Sequence, residues 1–329
     1  MGNSCYVISH NNQIVPNQII PNQIIPNNQN TIVPSKYTII RTELAFKFPH
    51  NAKGITYNND ELQFNIIDDI NNWITKLYVK NNFTNWIVFN DDISKIFNHA
   101  MMSITSGHCK GIITWNSECI GWLCHSVANY PEIFELNNFE LNITRINLPE
   151  IIYGQSFQYI EMMYNTELLH DIFDQICIMQ ANIYIEHYTP TFANFYSIIR
   201  NKLKSNLQSK ILQINSMILH IAKSPKCEID IWSDIICSYY KNLNWRVKTW
   251  KHGNHINKFP DNLYEIKHIR FLIYECHEYQ DNSKWGISDA SLYCVGDLDR
   301  LIPQLKNGGG YFLIDNENIT NALNDIILY

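Results

Sequence analysis

No two cysteines in this chain are separated by two residues, and no set of them has zinc-finger spacing, so neither a redox CxxC pair nor a structural zinc site is expected. The nine cysteines are an odd number in a chain without a secretory signal, which predicts reduced thiols, small buried hydrophobes of a reducing, intracellular compartment. No apolar run approaches the ~18–20 residues that cross a bilayer, and the start lacks the basic and apolar stretches of an export signal. The opening MGNSCY has Tyr6 where an acylation signal wants Ser or Thr, so a lipid anchor is not expected either. A positive excess is missing as well: the formal net charge is -6, which argues against a generic polyanion binder. The charge is uneven, however. Residues 200–258 hold eleven Lys and Arg against three acids, leaving 14 basic and 28 acidic residues elsewhere. Such a segment is either a solvated face or a local field that attracts phosphate.

What is present points to a globular chain. Hydrophobic residues make up 46% of 329, enough for one large domain or two ordinary ones. Residues 11–34 repeat NQIIP with Pro16, Pro21 and Pro26 in step, and proline at that spacing blocks helix and central strand alike. Residues 1–35 therefore read as an extended arm. Beyond it, NWIVFNDD (85–92) predicts a strand and turn, and ISKIFNHAMMS a helix. KGIITWN and GWLCHSV predict a strand pair, and residues 165–222 read as largely helical. Strands return with WRVKTWK, IRFLIYE and SLYCVGD. Two batches of mixed elements predict an α/β or α+β protein of two halves, residues 36–165 and 166–329.

The pair KGIITWN and GWLCHSV carries chemistry. His108 and Lys110 share a strand face. With a two- or four-residue connection, paired positions sum to 233 or 235, placing His125 opposite His108 or Lys110 respectively. An odd connection would separate them. Three such groups on one face suit metal-free phosphate chemistry, with lysine holding a phosphoryl oxygen and a histidine as nucleophile or base. No nearby carboxylate or thiol pair completes a zinc site around the histidines.

The wording of these blocks is similar to the deoxyribonuclease II family. GHCKGIITWNSECIGWLCHSVANYP (107–131) resembles its first catalytic block. FTNWIVFNDD, YGQSF, DNSKW, CVGDLDR and Gly308–Gly310 follow the family order, over roughly residues 40–315. The resemblance implies a phospholipase D-like pseudo-dimer, two β-sheet halves flanked by helices that share one central cleft. It implies cleavage of double-stranded DNA without a metal or other cofactor, favoured at acidic pH, through a phosphohistidine and leaving 3′-phosphate ends. Carried over by motif, His108 and Lys110 come from the first half, His125 supports them, and Lys284 comes from the second.

The second half departs from the pattern, because Asn282 stands where the family has a histidine. An amide can donate to a phosphate but can neither form a phosphoenzyme nor transfer a proton near neutrality. Losing a positioned acid or base costs ~10²–10⁴ in rate. His277 has the wrong strand parity to replace it, while His252 and His255 would have to be brought in by a basic loop. Gly286 and Tyr159 stand where the family often has cysteines, which fits the reducing compartment and a site working near neutral pH, where histidine is mostly uncharged. DNA contacts are expected at phosphates, from Lys110, Lys284, Lys248 and Lys251 with Gln155 as a further substrate-binding residue, and without base-sequence readout. Tyr153, Gln155 and Asp297 either brace the site or pack in core and turn, and Trp122 and Trp285 read as core. Three readings follow: a metal-independent endonuclease weakened at Asn282, an inactive DNA- or polyanion-binding relative, or a hydrolase of smaller phosphodiesters. A homodimer is compatible with each.

Overall fold

The computed structural model describes residues 36–79, 81–91, 107–130, 151–194, 209–257, 259–272 and 274–328. The arm expected over residues 1–35 and the helix expected over residues 93–103 lie outside these. The fold is mixed α and β, dominated by sheet, as the two batches of elements predict.

The first sheet contains β1 (Ile39–Lys47), β2 (Gly54–Asn58), β3 (Gln63–Ile67), β4 (Asn85–Phe89), β5 (Gly111–Trp115), β6 (Cys119–His125), β7 (Gln155–Met163) and β8 (Ile183–His187), with α1 (Ile70–Val79) after β3 and α2 (Thr166–Met179) before β8. Its order is β3-β2-β1-β7-β6-β5-β4-β8. The second contains β9 (Ser209–Gln213), β10 (Ile218–Lys223), β11 (Trp245–Lys248), β12 (Leu263–Glu265), β15 (Trp285–Ser288), β16 (Leu292–Gly296) and β17 (Gly309–Asp315), ordered β12-β11-β15-β16-β17-β10-β9. A small third sheet joins β13 (His268–Phe271), β14 (Tyr274–His277) and β18 (Ile327–Leu328), the last following α3 (Glu317–Asp325).

The two large sheets share a centre. Five strands run β1-β7-β6-β5-β4 in one and β10-β17-β16-β15-β11 in the other. In both, the strands are first, fifth, fourth, third and second along the chain, and every neighbouring pair is antiparallel.

Three expectations need correction. Within the stretch read as helical, SKILQ and ILHIAK are the paired strands β9 and β10, because both lie across a core that rewards alternation. The run IRFLIYE is not one strand: Leu272, at φ 55°, turns the chain between β13 and β14. The first sheet also continues past residue 165 to take in β8, which pairs with β4.

Alternation sorts the strands into layers. Trp115, Trp122 and Ile160 from the first sheet meet Trp285, Val295 and Phe312 from the second in one central core. Trp122 and Phe312 touch edge to face at 4.7 Å, and Phe46 meets Trp285 at 5.9 Å. The outer face of the first sheet is covered by Ile70, Trp73, Ile74 and Leu77, spaced three and four apart on α1. The outer face of the second is covered by the π-helical turn Ile231–Ile236. α2 is capped at both ends: Asn165 accepts from the Leu168 amide, and Gln180 closes the helix at φ 52°.

Candidate active site

The connection between β5 and β6 decides the first question. Trp115 pairs with Ile120, so four residues are left between them, and Asn116 accepts from the Glu118 and Cys119 amides to hold that turn. Gly111 therefore faces Cys124, and paired positions sum to 235. Lys110 thus lies across from His125, whose amide donates to the Lys110 carbonyl at 3.3 Å.

β4 delivers Asp91 beside this hairpin end. Lys110 Nζ lies 2.7 Å from Asp91 Oδ2, and His108 Nδ1 is bonded to the same oxygen. Burial would raise the Asp91 pKa, yet His108 and Lys110 beside it hold the carboxylate well below its usual range. Burial, the largest effect, lowers the His108 pKa; Asp91 and Asp299 together outweigh it and the net shift is upward. Lys110 follows the same balance and stays charged. His125 is different. Burial first, and the Lys110 charge second, lower its pKa to about 3, so the ring is neutral. Its Nδ1 accepts from the Val127 amide at 3.2 Å, which puts the ring hydrogen on Nε2, buried and without an acceptor among the described residues.

Asn282 and Lys284 lead into β15 as His108 and Lys110 lead into β5. Lys284 Nζ donates to Asn282 Oδ1 at 2.5 Å and lies 3.3 Å from Asp299 Oδ1. Burial lowers its pKa against the pull of Asp299. Asn282 Nδ2 donates across to the Ser126 carbonyl at 3.1 Å. In each pair the leading residue keeps some exposure while its lysine is buried; the His108 side chain is 23% exposed and that of Lys110 2%.

The backbone ties the corners together by exchange. The His108 amide donates to the Gly308 carbonyl at 2.7 Å, just ahead of β17; the Asn282 amide donates to the Gly154 carbonyl at 2.8 Å, just ahead of β7. Each half thus grips the other at the same place. A Cβ on Gly308 would sit 2.0 Å from the Met179 carbonyl oxygen, and one on Gly154 2.6 Å from Asp281 Oδ1, so both approaches require glycine. Further pairs repeat. Ser126 Oγ accepts from the Ser156 amide at 3.0 Å, and Asp297 Oδ1 from the Gly310 amide at 2.9 Å. Buried Lys47 donates to the Ile151 carbonyl at 2.9 Å, and buried Lys223 to the Leu305 carbonyl at 2.8 Å.

Asp299 and Gln304 complete the cluster. Gln304 Nε2 donates to Asp299 Oδ2 at 2.8 Å and lies 3.1 Å from His108 Nε2. An amide nitrogen only donates, and Nδ1 donates to Asp91, so Nε2 holds the lone pair and accepts. Asp299 Oδ2 is 3.7 Å from the same nitrogen. Burial opposes ionisation of Asp299, but Lys284 and His108 keep it well below the usual carboxylate range. Burial raises Asp297 to about 7. Asp91, Asp299 and Gln304 are not among the residues singled out from sequence. The signal was a carboxylate two residues after a strand end, in FNDD, and the second acid of GDLDR.

The remaining candidates divide. Gln155 is buried beside Ser126, accepting from its hydroxyl at 2.6 Å, and its Nε2 has no partner among the described residues. Lys248 is fully buried and donates to the Asp281 carbonyl at 3.2 Å, while Lys251 is paired with Glu265, so neither points a free charge at the cluster. His277 sits on the third sheet 3.0 Å from His268. His255 bonds the Lys251 carbonyl at 2.8 Å and His252 the Tyr279 carbonyl at 3.3 Å, so neither replaces the histidine at position 282. Trp122 and Trp285 are core. The eight described cysteines are buried; Gly286 faces Cys294 directly, with Trp232 filling the space a side chain there would need. Among the described residues, no three His, Cys, Asp or Glu side chains group to hold a metal ion, and no helix is long and apolar enough to cross a membrane.

Known proteins share this arrangement of blocks. The chain is 26% identical to cell-death-related nuclease 7 of Caenorhabditis elegans over 269 residues, covering 75% of this chain and 68% of that one. It is 28% identical to human deoxyribonuclease-2-beta over 273 residues, 76% and 71% respectively. A putative deoxyribonuclease-2 of Burkholderia thailandensis matches at 25% over 274 residues, 73% and 70%. The deoxyribonuclease II family pattern itself spans residues 42–329, taking in both corners and the strands that hold them, and the chain belongs to that family.

Proposed function

We propose that this chain is a metal-independent phosphodiesterase acting on DNA, built as a phospholipase D-like pair of halves around the His108–Asn282 cleft, with His108 as its nucleophile. The observation that carries the proposal is the position of His108. Its side chain is partly exposed beside buried Lys110, its Nδ1–H is fixed on Asp91, and its Nε2 carries the lone pair, which Gln304 Nε2 meets at 3.1 Å. Attack forms the P–Nε2 bond and breaks the P–O5′ bond, and the departing oxygen takes its proton from water. Water then breaks the P–N bond, leaving a 3′-phosphate and restoring His108. Asp91 offsets the positive charge that grows on the ring, and the lysines offset that on the phosphoryl oxygens. Asn282 holds no transferable proton, so departure of O5′ is the weakened step. The contacts are to backbone phosphate, not to base edges. The buried thiols support a reducing compartment as its place of work.

A second reading, a binding protein without turnover, draws on Asn282 and on Gln304 seated against His108 Nε2. Nicking of supercoiled plasmid in EDTA, from acidic to neutral pH, separates the two. Cleavage by the wild type that disappears in His108→Ala is the expected result. Cleavage seen only in Asn282→His establishes the binding protein instead, and no cleavage by either sinks the nuclease.

A further inference from the structure

Seven of the eight tryptophans are buried, and Trp250 alone is part-exposed. Its place is informative. Asp91 stands two residues beyond the end of β4, and Trp250 two residues beyond the end of β11, the matching strand of the other sheet. Where one sheet places a carboxylate after its strand, the other places a part-exposed indole. The Trp250 backbone amide donates to Asp299 Oδ1 at 2.9 Å, so the main chain that carries the ring is tied to the cluster.

Trp250 begins a strip of rings. Tyr153, which precedes Gly154, meets it at 4.8 Å and 85°. His252 also meets Trp250, at 4.5 Å and 43°, and Tyr279, three residues ahead of Asn282, meets His252 at 5.3 Å and 68°. All four are part-exposed or exposed, Tyr279 at 55%. None is stacked flat on its neighbour, and each ring keeps some accessible surface. Both ends of the strip join the candidate site, through Asp299 at Trp250 and through the chain leading to Asn282 at Tyr279.

We infer that Tyr153, Trp250, His252 and Tyr279 form a stacking platform for unpaired bases of a DNA strand whose phosphate lies between Lys110 and Lys284. The inference rests on the phosphodiesterase reading for the position of that phosphate. A base is carried on the same backbone as the phosphate, so a strand entering the cleft lays its bases on the adjoining wall. Aromatic faces take any base, which is consistent with a site that has no groups placed to read sequence. A duplex turns base edges outward and keeps the faces stacked, so the platform selects single-stranded or frayed DNA.

Fluorescence anisotropy of end-labelled strands in EDTA tests this, in the full chain carrying His108→Ala to prevent cleavage. The probes are an oligothymidylate, a strand of the same length with abasic sites, and a blunt duplex. The oligothymidylate is expected to bind about tenfold tighter than the abasic strand, as one good base–aromatic stack provides, and tighter than the duplex. Adding Trp250→Ala removes that preference and leaves abasic binding unchanged, while Trp250→Phe keeps most of it. If Trp250→Ala does not fold, Tyr279→Ala, at an exposed ring, supplies the same comparison. Equal affinity for base-bearing and abasic strands, a preference that survives both alanine variants, or duplex binding as tight as the single strand overturns the platform. Base preference in a chain whose wild type nicks no plasmid overturns the nuclease and leaves the platform standing; nicking without base preference does the reverse.

Discussion

The corner before β5 and the corner before β15 have the same backbone and different chemistry. Each donates its leading amide to a glycine carbonyl beside the other sheet, each sets a buried lysine two residues on, and each meets a segment braced by a buried lysine at a strand end. On that common frame one corner carries His108 with Asp91, the other Asn282 with Trp250. On the phosphodiesterase reading, an amide and a part-exposed indole at the positions of the imidazole and its carboxylate suit the second corner to holding substrate rather than to proton transfer.

Moving the histidine tests that difference most severely. The double variant His108→Asn with Asn282→His keeps one imidazole and both lysines in the cleft. Trp250 cannot orient a ring as Asp91 does, so initial nicking rates in EDTA are expected to fall by about 10²–10⁴, the range for a lost positioned base. A swapped enzyme as fast as the wild type would show that the corners are interchangeable and that Asp91 does not matter.

Asp91→Asn breaks the contrast from the other side. Asp91, with help from Asp299, raises the His108 pKa against the effect of burial. The nucleophile must be neutral, so the rate rises with pH through that pKa, and the inflection lies above the ordinary histidine value in the wild type. The variant is expected to lose about 10²-fold in rate and to move the inflection down. An inflection that stays in place assigns the titration to another group. Melting of the same variant reports the cost of leaving Lys110 buried without its partner, about 3–5 kcal/mol for a buried pair broken on one side.

How far these corners were legible in sequence depends on the reach of each signal. The hairpin register followed from strand parity once the loop length was fixed, which is a local property, and it placed Lys110 opposite His125. Asn282 and Lys284 were visible as a motif. Asp91, Asp299 and Gln304 were not, because their roles arise from segments brought side by side across 15 to 196 residues of chain. The strands β9 and β10 were missed for the opposite reason. Their short apolar runs have no period that separates helix from strand, and the decision was made by pairing with β17. Lys248 read as a phosphate contact because the segment is basic, yet its charge is neutralised inside the fold by Asp281.

The bracing lysines give a smaller effect. Lys223→Met leaves the Gln304 and Leu305 carbonyls without their buried donor, and Lys47→Met does the same to Phe48 and Ile151. Each is expected to cost about 1–3 kcal/mol of stability by denaturant melting. Only Lys223 holds the turn that carries Gln304 against His108, so Lys223→Met is expected to change the nicking rate of the folded protein and Lys47→Met to leave it closer to wild type. Equal effects on rate would mean that the turn before β17 has no privileged connection to His108.

The mildest comparison is between Leu44 and His220, which occupy matching positions three residues before those lysines. His220 is buried against Trp122 and Phe312, and its Nδ1 is 2.9 Å from Gln175 Oε1. Burial lowers its pKa to about 3. A histidine depressed in the fold adds stability that is full above its unfolded pKa of about 6.5 and lost as pH falls toward 3, since the unfolded chain takes the proton first. His125 acts in the same window and direction, while Asp297, raised to about 7, acts oppositely and favours the fold as pH falls. His220→Leu makes the second sheet resemble the first. It should lower Tm at pH 7, because Gln175 loses its partner at a cost of about 1–2 kcal/mol, yet show a smaller further drop between pH 7 and pH 4.5 than the wild type. An undiminished acid drop would assign the acid sensitivity to His125 and leave His220 without a part in it.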